Sequence, residues 1–190
     1  MTLALKEWHV VVEAIARGDQ VLTIRKGGIG EKAFAVAGSA FWLYPNWEHQ
    51  QAPEVKRAWH GELARSNRER PTDGTIPLRC HCTVDAAWEV SDGDQLAALD
   101  GWHLWTRAYA ESRLKWRPTK PLTVLLLRAA ALIDPFPLRA DEAYGGCKSW
   151  IELLEEPAAD ALIPALTDVA FDMRSAAVHE ALGAPAVVGA

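Results

Sequence analysis

The sequence predicts an α+β fold: a mixed, mainly antiparallel sheet with an N-terminal hairpin and packed helices. Three observations carry that expectation. Short runs rich in β-branched and aromatic residues, each closed by Gly or Pro, recur along the chain, as strands ending in turns do. Segments of helical composition lie between them, at 53–65, 92–99 and 158–182. Hydrophobic residues make up 49% and charged residues 24% of the 190 residues, enough apolar material for a core without disulfide staples.

Trp8 to Ala16 begins β-branched, with three consecutive valines, and meets the turn signal Arg17-Gly18-Asp19-Gln20 before Val21 to Ile24. Two β-rich runs around a Gly-Asp turn predict the hairpin. A helix over Leu5 to Ala16 competes with it, because Trp8, Val11, Val12 and Ile15 fall on one helical face. Gly27-Gly28-Ile29-Gly30 breaks the second strand, and Phe41 to Tyr44 is a short strand stopped by Pro45. Pro53 to Arg65 reads as a helix with proline in its first turn, and Ser66 to Gly74 as an exposed loop. Pro77 to Val90 reads as a strand, with Asp92 opening a short helix through Leu99. Pro121 to Leu132 is the candidate buried central strand, ended by Pro135 and Pro137. Ser149 to Leu154 is a last strand, and Ala158 to Leu182 forms one or two helices with Pro164 near a boundary. One domain over 1–182 and a frayed tail over 183–190 are expected, with no internal repeat.

The formal net charge of −5 speaks against a protein that binds nucleic acid over its whole surface, although a local basic face depends on clustering. Three cysteines, Cys80, Cys82 and Cys147, do not make a disulfide framework. No leader-like segment opens the chain, and the longest apolar run, Leu122 to Leu127, is too short to cross a bilayer. A cytoplasmic protein without a membrane partner is expected. Nine tryptophans suit a core of large side chains, or rings that stack on a base or sugar.

Five constellations carry polar chemistry. Arg25-Lys26-Gly27-Gly28-Ile29-Gly30-Glu31 places two cations at a strand end before glycines that let backbone N–H groups approach an anion. An edge strand blunted by charge is the plain alternative. Asn46 to Gln50 follows a proline-stopped strand; here His49 is the acid/base candidate, Glu48 or Glu31 could orient it, and Gln50 could hold a ligand. Cys80-His81-Cys82, on a strand, would point its cysteines to one face and its histidine to the other, a poor metal set. From Trp105 to Arg117 the cations Arg107, Arg113, Lys115 and Arg117 interleave with aromatics, which suits a nucleic-acid backbone with stacked bases, or a solvated amphipathic helix. Tyr144-Gly145-Gly146-Cys147-Lys148 permits a tight turn, with Lys148 as a further anion ligand and Cys147 beside it as a conceivable thiolate. No cofactor, metal or oligomeric state follows from these residues.

LKEWHVVVEAIARGDQVLTIRKGGIGEKAF, FWLYPNWEHQ, WRPTKPLTVLLLRAAAL and YGGCKSWIEL, in that order over residues 3 to 154, resemble the signature blocks of the bacterial domain-of-unknown-function 1802 family. Asn46 stands where that pattern leads one to expect threonine. Some members are joined to a restriction-endonuclease-like domain, so the resemblance implies a role near restriction or defence. A looser likeness is to the Nudix fold, through AIARGDQVLTIRKGG and a segment with Glu54 and Glu62 where the catalytic box would lie. The paired glutamates that hold metal there are replaced by WHGELARSN. Three functions are in contention: a nucleic-acid-binding or accessory protein, an enzyme on a small anionic or nucleotide-like substrate, and a protein-interaction scaffold. They separate on whether the RKGG, EHQ and GGCKSW blocks meet around one cavity.

Overall fold

A seven-stranded sheet organises the computed structural model, which describes residues 2–26, 35–155, 157–158 and 161–185. Its strands are β1 (Thr2–Trp8), β2 (Leu22–Arg25), β3 (Ala40–Asn46), β4 (Thr75–Val90), β5 (Leu122–Arg139), β6 (Trp150–Leu153) and β7 (Leu162–Pro164). Five α-helices accompany it among the described residues: α1 (His9–Ala16), α2 (His60–Arg68), α3 (Gly93–Ala98), α4 (Arg107–Lys115) and α5 (Asp168–Leu182). The strand order is β2-β5-β4-β3-β1-β6, with β7 added to β5. β1 and β3 run parallel, and the other pairs are antiparallel. This is the mixed, mainly antiparallel α+β architecture that the sequence predicts.

The N-terminal hairpin is replaced by a strand and a helix. Residues 9–16 are helical, and β2 pairs with β5 rather than with the chain before it. Seven of the eight residues of α1 are buried. Such a helix has no polar face to display a 3.6-residue period, so its valines read as a strand. Val10, Val11, Val12 and Ile15 join Leu5, Phe41, Leu43, Leu125 and Leu127 in one core cluster. Each fully buried Val, Leu or Ile contributes about 1.5–3 kcal/mol of gross stabilisation, which outweighs the modest helix propensity of valine. Gly18 ends the turn at φ +75°, where a Cβ would lie 2.6 Å from Leu166, so both conformation and space call for glycine.

β5 is the expected buried centre. Val124 and Leu126 face a cluster with α3, α4 and α5, while Leu125 and Leu127 face the cluster of α1. The strand does not stop at the prolines but runs on to Arg139. Beyond Leu132 its partner is β4 alone, with Pro137 opposite Pro77, and a strand with one neighbour tolerates proline. Three further boundaries move. The stretch 53–65 is two short 3₁₀ turns, at Ala52–Glu54 and Arg57–Trp59, before α2. α2 runs to Arg68 and buries Ser66, so the exposed loop is shorter than expected. The stretch 158–182 opens with β7, and α5 starts only after Thr167 caps it through a hydrogen bond from Ala170 N at 3.3 Å. Residues 186–190 of the expected tail lie outside the described residues. No helix among the described residues is long and apolar enough to cross a membrane.

The sheet brings several strand ends to one edge. The parallel pair β1 and β3 finishes together, with Glu7 opposite Pro45 and Trp8 opposite Asn46. β4 is antiparallel to β3, so it starts near that edge. β6 is antiparallel to β1, and Lys6 N donates to Ser149 O at 2.9 Å just before β6 begins.

Candidate functional site

These strand ends border a cleft of about 940 Å³, roofed on one side by α4. Arg25 and Lys26, then Asn46 to His49, then Gly145 to Ser149 all line it, so the three polar blocks meet around one cavity. The walls carry seven aromatic rings, from Trp8, Trp47, Trp105, Trp116 and all three tyrosines of the chain. Six cationic side chains, from Lys6, Arg25, Lys26, Arg70, Arg113 and Lys148, face four carboxylates, from Glu7, Glu48, Glu54 and Asp141. In an acidic chain this is a local excess of positive charge between rings, suited to an anionic, partly aromatic ligand.

The floor is built on Glu7. Its carboxylate is buried, accepts from Thr23 Oγ1 and from Trp8 N (2.9 Å), and pairs with Arg25 Nη1 at 3.2 Å. A buried carboxyl group left without donors would be costly, and these contacts satisfy it. The Trp8 ring beside it meets Tyr109 (centroids 5.2 Å apart) and Trp105 (6.4 Å). Burial pushes the Tyr109 hydroxyl up to about 12, with the nearby Arg113 and Arg25 opposing the shift and Glu7 and Glu54 adding to it. Tyr109 is therefore a neutral hydroxyl at physiological pH, able to donate and accept.

Helix α4 starts from a fixed point. Thr106 Oγ1 accepts from Tyr109 N (3.3 Å), Thr106 N donates to Glu54 O (2.8 Å), and Val55 bridges to Trp105. Tyr109, Arg113 and Trp116 then recur at helical spacing on the cleft side. The Arg113 guanidinium lies 4.7 Å from the Trp116 ring centroid, a cation–π arrangement that fixes its direction. Glu54 faces the same space. Burial raises its carboxyl, and the nearby His49 and Arg113 partly offset that.

At the other end, Lys6 Nζ donates to Gly146 O (3.0 Å) and lies 5.9 Å from the Tyr44 ring centroid. Burial lowers its pKa, Lys148 lowers it further, and Glu48 and Cys147 act against them. Gly146 adopts φ +75°, so the GGCK segment turns sharply enough to bring Cys147 and Lys148 to the rim.

The wall at Trp47 hangs on a buried polar network. Trp47 Nε1 donates to Ser66 O (2.9 Å), and its ring stacks on His9 at 4.5 Å. His9 Nδ1 lies 2.7 Å from Ser66 Oγ, which also accepts from Gln50 Nε2 at 2.9 Å. Burial holds His9 down to about 4, so the ring is neutral and shares one hydrogen bond with the Ser66 hydroxyl. An Asx turn follows β3, with Glu48 N donating to Asn46 Oδ1 at 3.0 Å. It leads into His49 at φ +67°, a left-handed conformation in which histidine is among the less disfavoured side chains.

A family profile described as "Domain of unknown function (DUF1802)" matches residues 4–177. The chain belongs to this family. No curated protein matches it. Two solved structures are similar to it. The crystal structure of ASCH from Zymomonas mobilis is 15% identical, covering 92% of this chain and 94% of that one with a TM-score of 0.39. A serine-to-alanine variant of the Zymomonas mobilis ASCH protein is 12% identical over the same shares, with a TM-score of 0.35.

For this DUF1802 member the cleft sorts the residues singled out in the sequence. Arg25, His49, Glu48, Lys148 and Arg113 line it. Lys26 lies on its wall, but its ammonium is buried and donates to Leu114 O (3.0 Å) and Lys120 O, tying down the end of α4. Gln50 is turned inward, donating to Ser66 and Asn67 (2.6 Å) and accepting from Val10 N (3.3 Å). Arg107 and Lys115 are on the far side of α4, both paired with Glu111. Arg117, at φ +52°, packs on Trp116 at 4.5 Å. Gly27, Gly28 and Glu31 lie outside the described residues. Cys80 and Cys82 share the buried face of β4 with sulfurs 3.8 Å apart, while His81 meets Trp42 edge-on across the sheet. Among the described residues no group of three His, Cys, Asp or Glu is arranged to hold a metal ion. Of the two glutamates at the Nudix-like positions, Glu54 lines the cleft and Glu62 does not. Lys6, Glu7, Glu54, Arg70 and Tyr109 complete the site. The alternation of β1 gives a weak signal for Glu7, as an acid between buried positions, and the Nudix likeness marks Glu54; nothing local marks the others.

Proposed function

We propose that this protein binds nucleic acid, and that it does so by taking a single-stranded segment into the cleft. The observation that supports this is the convergence of Arg25 and Lys26, Asn46 to His49 and Gly145 to Ser149 with the inner face of α4 around one cavity, whose lining holds both rings and cations. Stacking a base on an aromatic ring contributes about 1–3 kcal/mol whatever the base, and cations between the rings meet the phosphates. A duplex keeps its base faces stacked inside and cannot use such walls. Fluorescence anisotropy with labelled single strands and duplexes of about ten nucleotides, at about 50 and 200 mM salt, tests the proposal. Single strands should bind more tightly than duplexes and weaken as salt rises. Equal binding of both, or binding that ignores salt, would contradict it.

An enzyme acting on a small nucleotide-like anion is the second reading, favoured by His49 and Glu54 sharing the cleft with Arg113. In it His49 transfers the proton, Glu48 or Glu54 supports the imidazolium, and Arg25 and Lys148 hold the anion.

A further inference from the structure

We propose, resting on the nucleic-acid reading above, that the cleft selects guanine: Glu54 takes the N–H donors of its Watson–Crick edge, and Arg113 faces its O6 and N7. The starting observation is an orphan. Glu54 Oε2 is shut off from solvent and has no hydrogen-bond partner. Of the buried side-chain atoms left unpartnered among the described residues, it alone belongs to a residue that lines the cleft; the others are on Arg79, Asp100 and His103. An unpaired buried carboxylate oxygen is costly, and a ligand that supplies a donor removes that cost.

The backbone that carries this carboxyl is pinned. Its own carbonyl accepts from Thr106 N, and the next residue, Val55, bridges to Trp105. The backbone therefore cannot swing away, while the terminal torsion of a glutamate is soft and can turn either oxygen to the cleft. Arg113 is close enough to bias the Glu54 carboxyl, yet no ion pair joins them among the described residues. An acceptor and a five-donor fork thus line one cleft, each with its own support: the pinned backbone of Glu54 and the Trp116 ring under Arg113.

Guanine is the standard base that fits this pair. Its Watson–Crick edge offers two adjacent donors, the ring N1–H and the exocyclic N2 amine, which an ionised carboxylate can accept together. Adenine and cytosine place a donor beside an acceptor, and uracil has a single donor between two carbonyls. Arginine is the usual donor to guanine O6 and N7. Tyr109 and Trp8, packed together in the lining of the same cleft, offer the face on which the base can lie.

The test uses labelled single-stranded octamers with one central G, A, C or U in the same background, plus inosine, which keeps N1–H and O6 but lacks the N2 amine. Anisotropy at low salt should show the G octamer binding about tenfold more tightly than the others, with inosine losing much of that advantage. Glu54→Gln should bind all five octamers with one affinity, near that of the wild type for A. If the wild type binds every octamer equally, or Glu54→Gln keeps its preference for G, the guanine assignment is wrong while the nucleic-acid reading stands. If no octamer binds, both fall.

Discussion

The inner face of α4 carries Tyr109, Arg113 and, at its end, Trp116, all lining the cleft and each packed on another ring or cation. The outer face carries Arg107, Glu111 and Lys115, which are spaced four residues apart and pair with one another in solvent. In the sequence the four cations of 107–117 look like one basic stripe. On the helix they divide, because residues four apart share a face and residues two apart do not. The exposed trio is the ordinary solvated face of an amphipathic helix. Arg113 owes its different role to the tyrosine four residues earlier and the tryptophan three residues later. A count of basic residues therefore says little about a binding face until the helix has assigned them to sides.

The difference between the two faces is largest in what supports them. Behind the inner face lies the buried pair of Glu7 and Arg25. Glu7→Gln should destabilise the fold by about 3 kcal/mol, because it removes the charge of a buried carboxylate that holds Thr23, Trp8 and Arg25 together. Glu111→Gln, on the outer face, should leave the urea midpoint within the error of the measurement. Urea denaturation of both variants checks this, and equal losses would erase the distinction between the faces.

A second consequence concerns acid. His9, under the Trp47 wall, and His103, beside Lys56 and Asp100, are both held down to about 4 by burial. Their pKa values fall on folding from an ordinary 6.5, so in between the unfolded chain binds more protons than the folded one. The stabilisation they give is whole above pH 6.5 and is lost as pH falls toward 4. The loss should be on the order of 2 kcal/mol for each histidine. Urea midpoints measured between neutral and acid pH should drop over that window, and His9→Gln should flatten part of the drop. A midpoint that stays constant through the window would show that these rings are not buried neutral.

Much of the frame was legible in the sequence. Strands β3, β4, β6 and the core of β5 follow from short apolar runs with turn residues at their ends, and Asp92 marks the start of α3 through its bond to Asp94 N. The failures share a cause. α1 is buried on nearly every side and β5 continues through two prolines, so in each case tertiary burial or a free edge overrode the local rule. In the site, residues just past strand ends were legible because glycines, prolines and charges cluster there, as at Arg25, His49 and Lys148. Gln50 and Lys26 carry the same signals but spend their polar groups on the scaffold, a distinction that depends on which way a side chain turns. Glu54 stood out only through the looser Nudix likeness; its character in the cleft comes from Thr106 and Arg113, more than fifty residues away in the chain.

The most direct test sets the two faces of α4 against each other in binding. Arg113→Ala and the double variant Arg107→Ala, Lys115→Ala would each be titrated with the same labelled single strand at two salt concentrations. Arg113→Ala should lose about tenfold in affinity, as expected when a charged hydrogen-bond donor is removed from a sheltered site. The double variant should stay within about twofold of the wild type at the higher salt, where exposed charges are screened. The reverse order, with the outer pair mattering more than Arg113, would place the contact on the surface of α4 and contradict a cleft-based site.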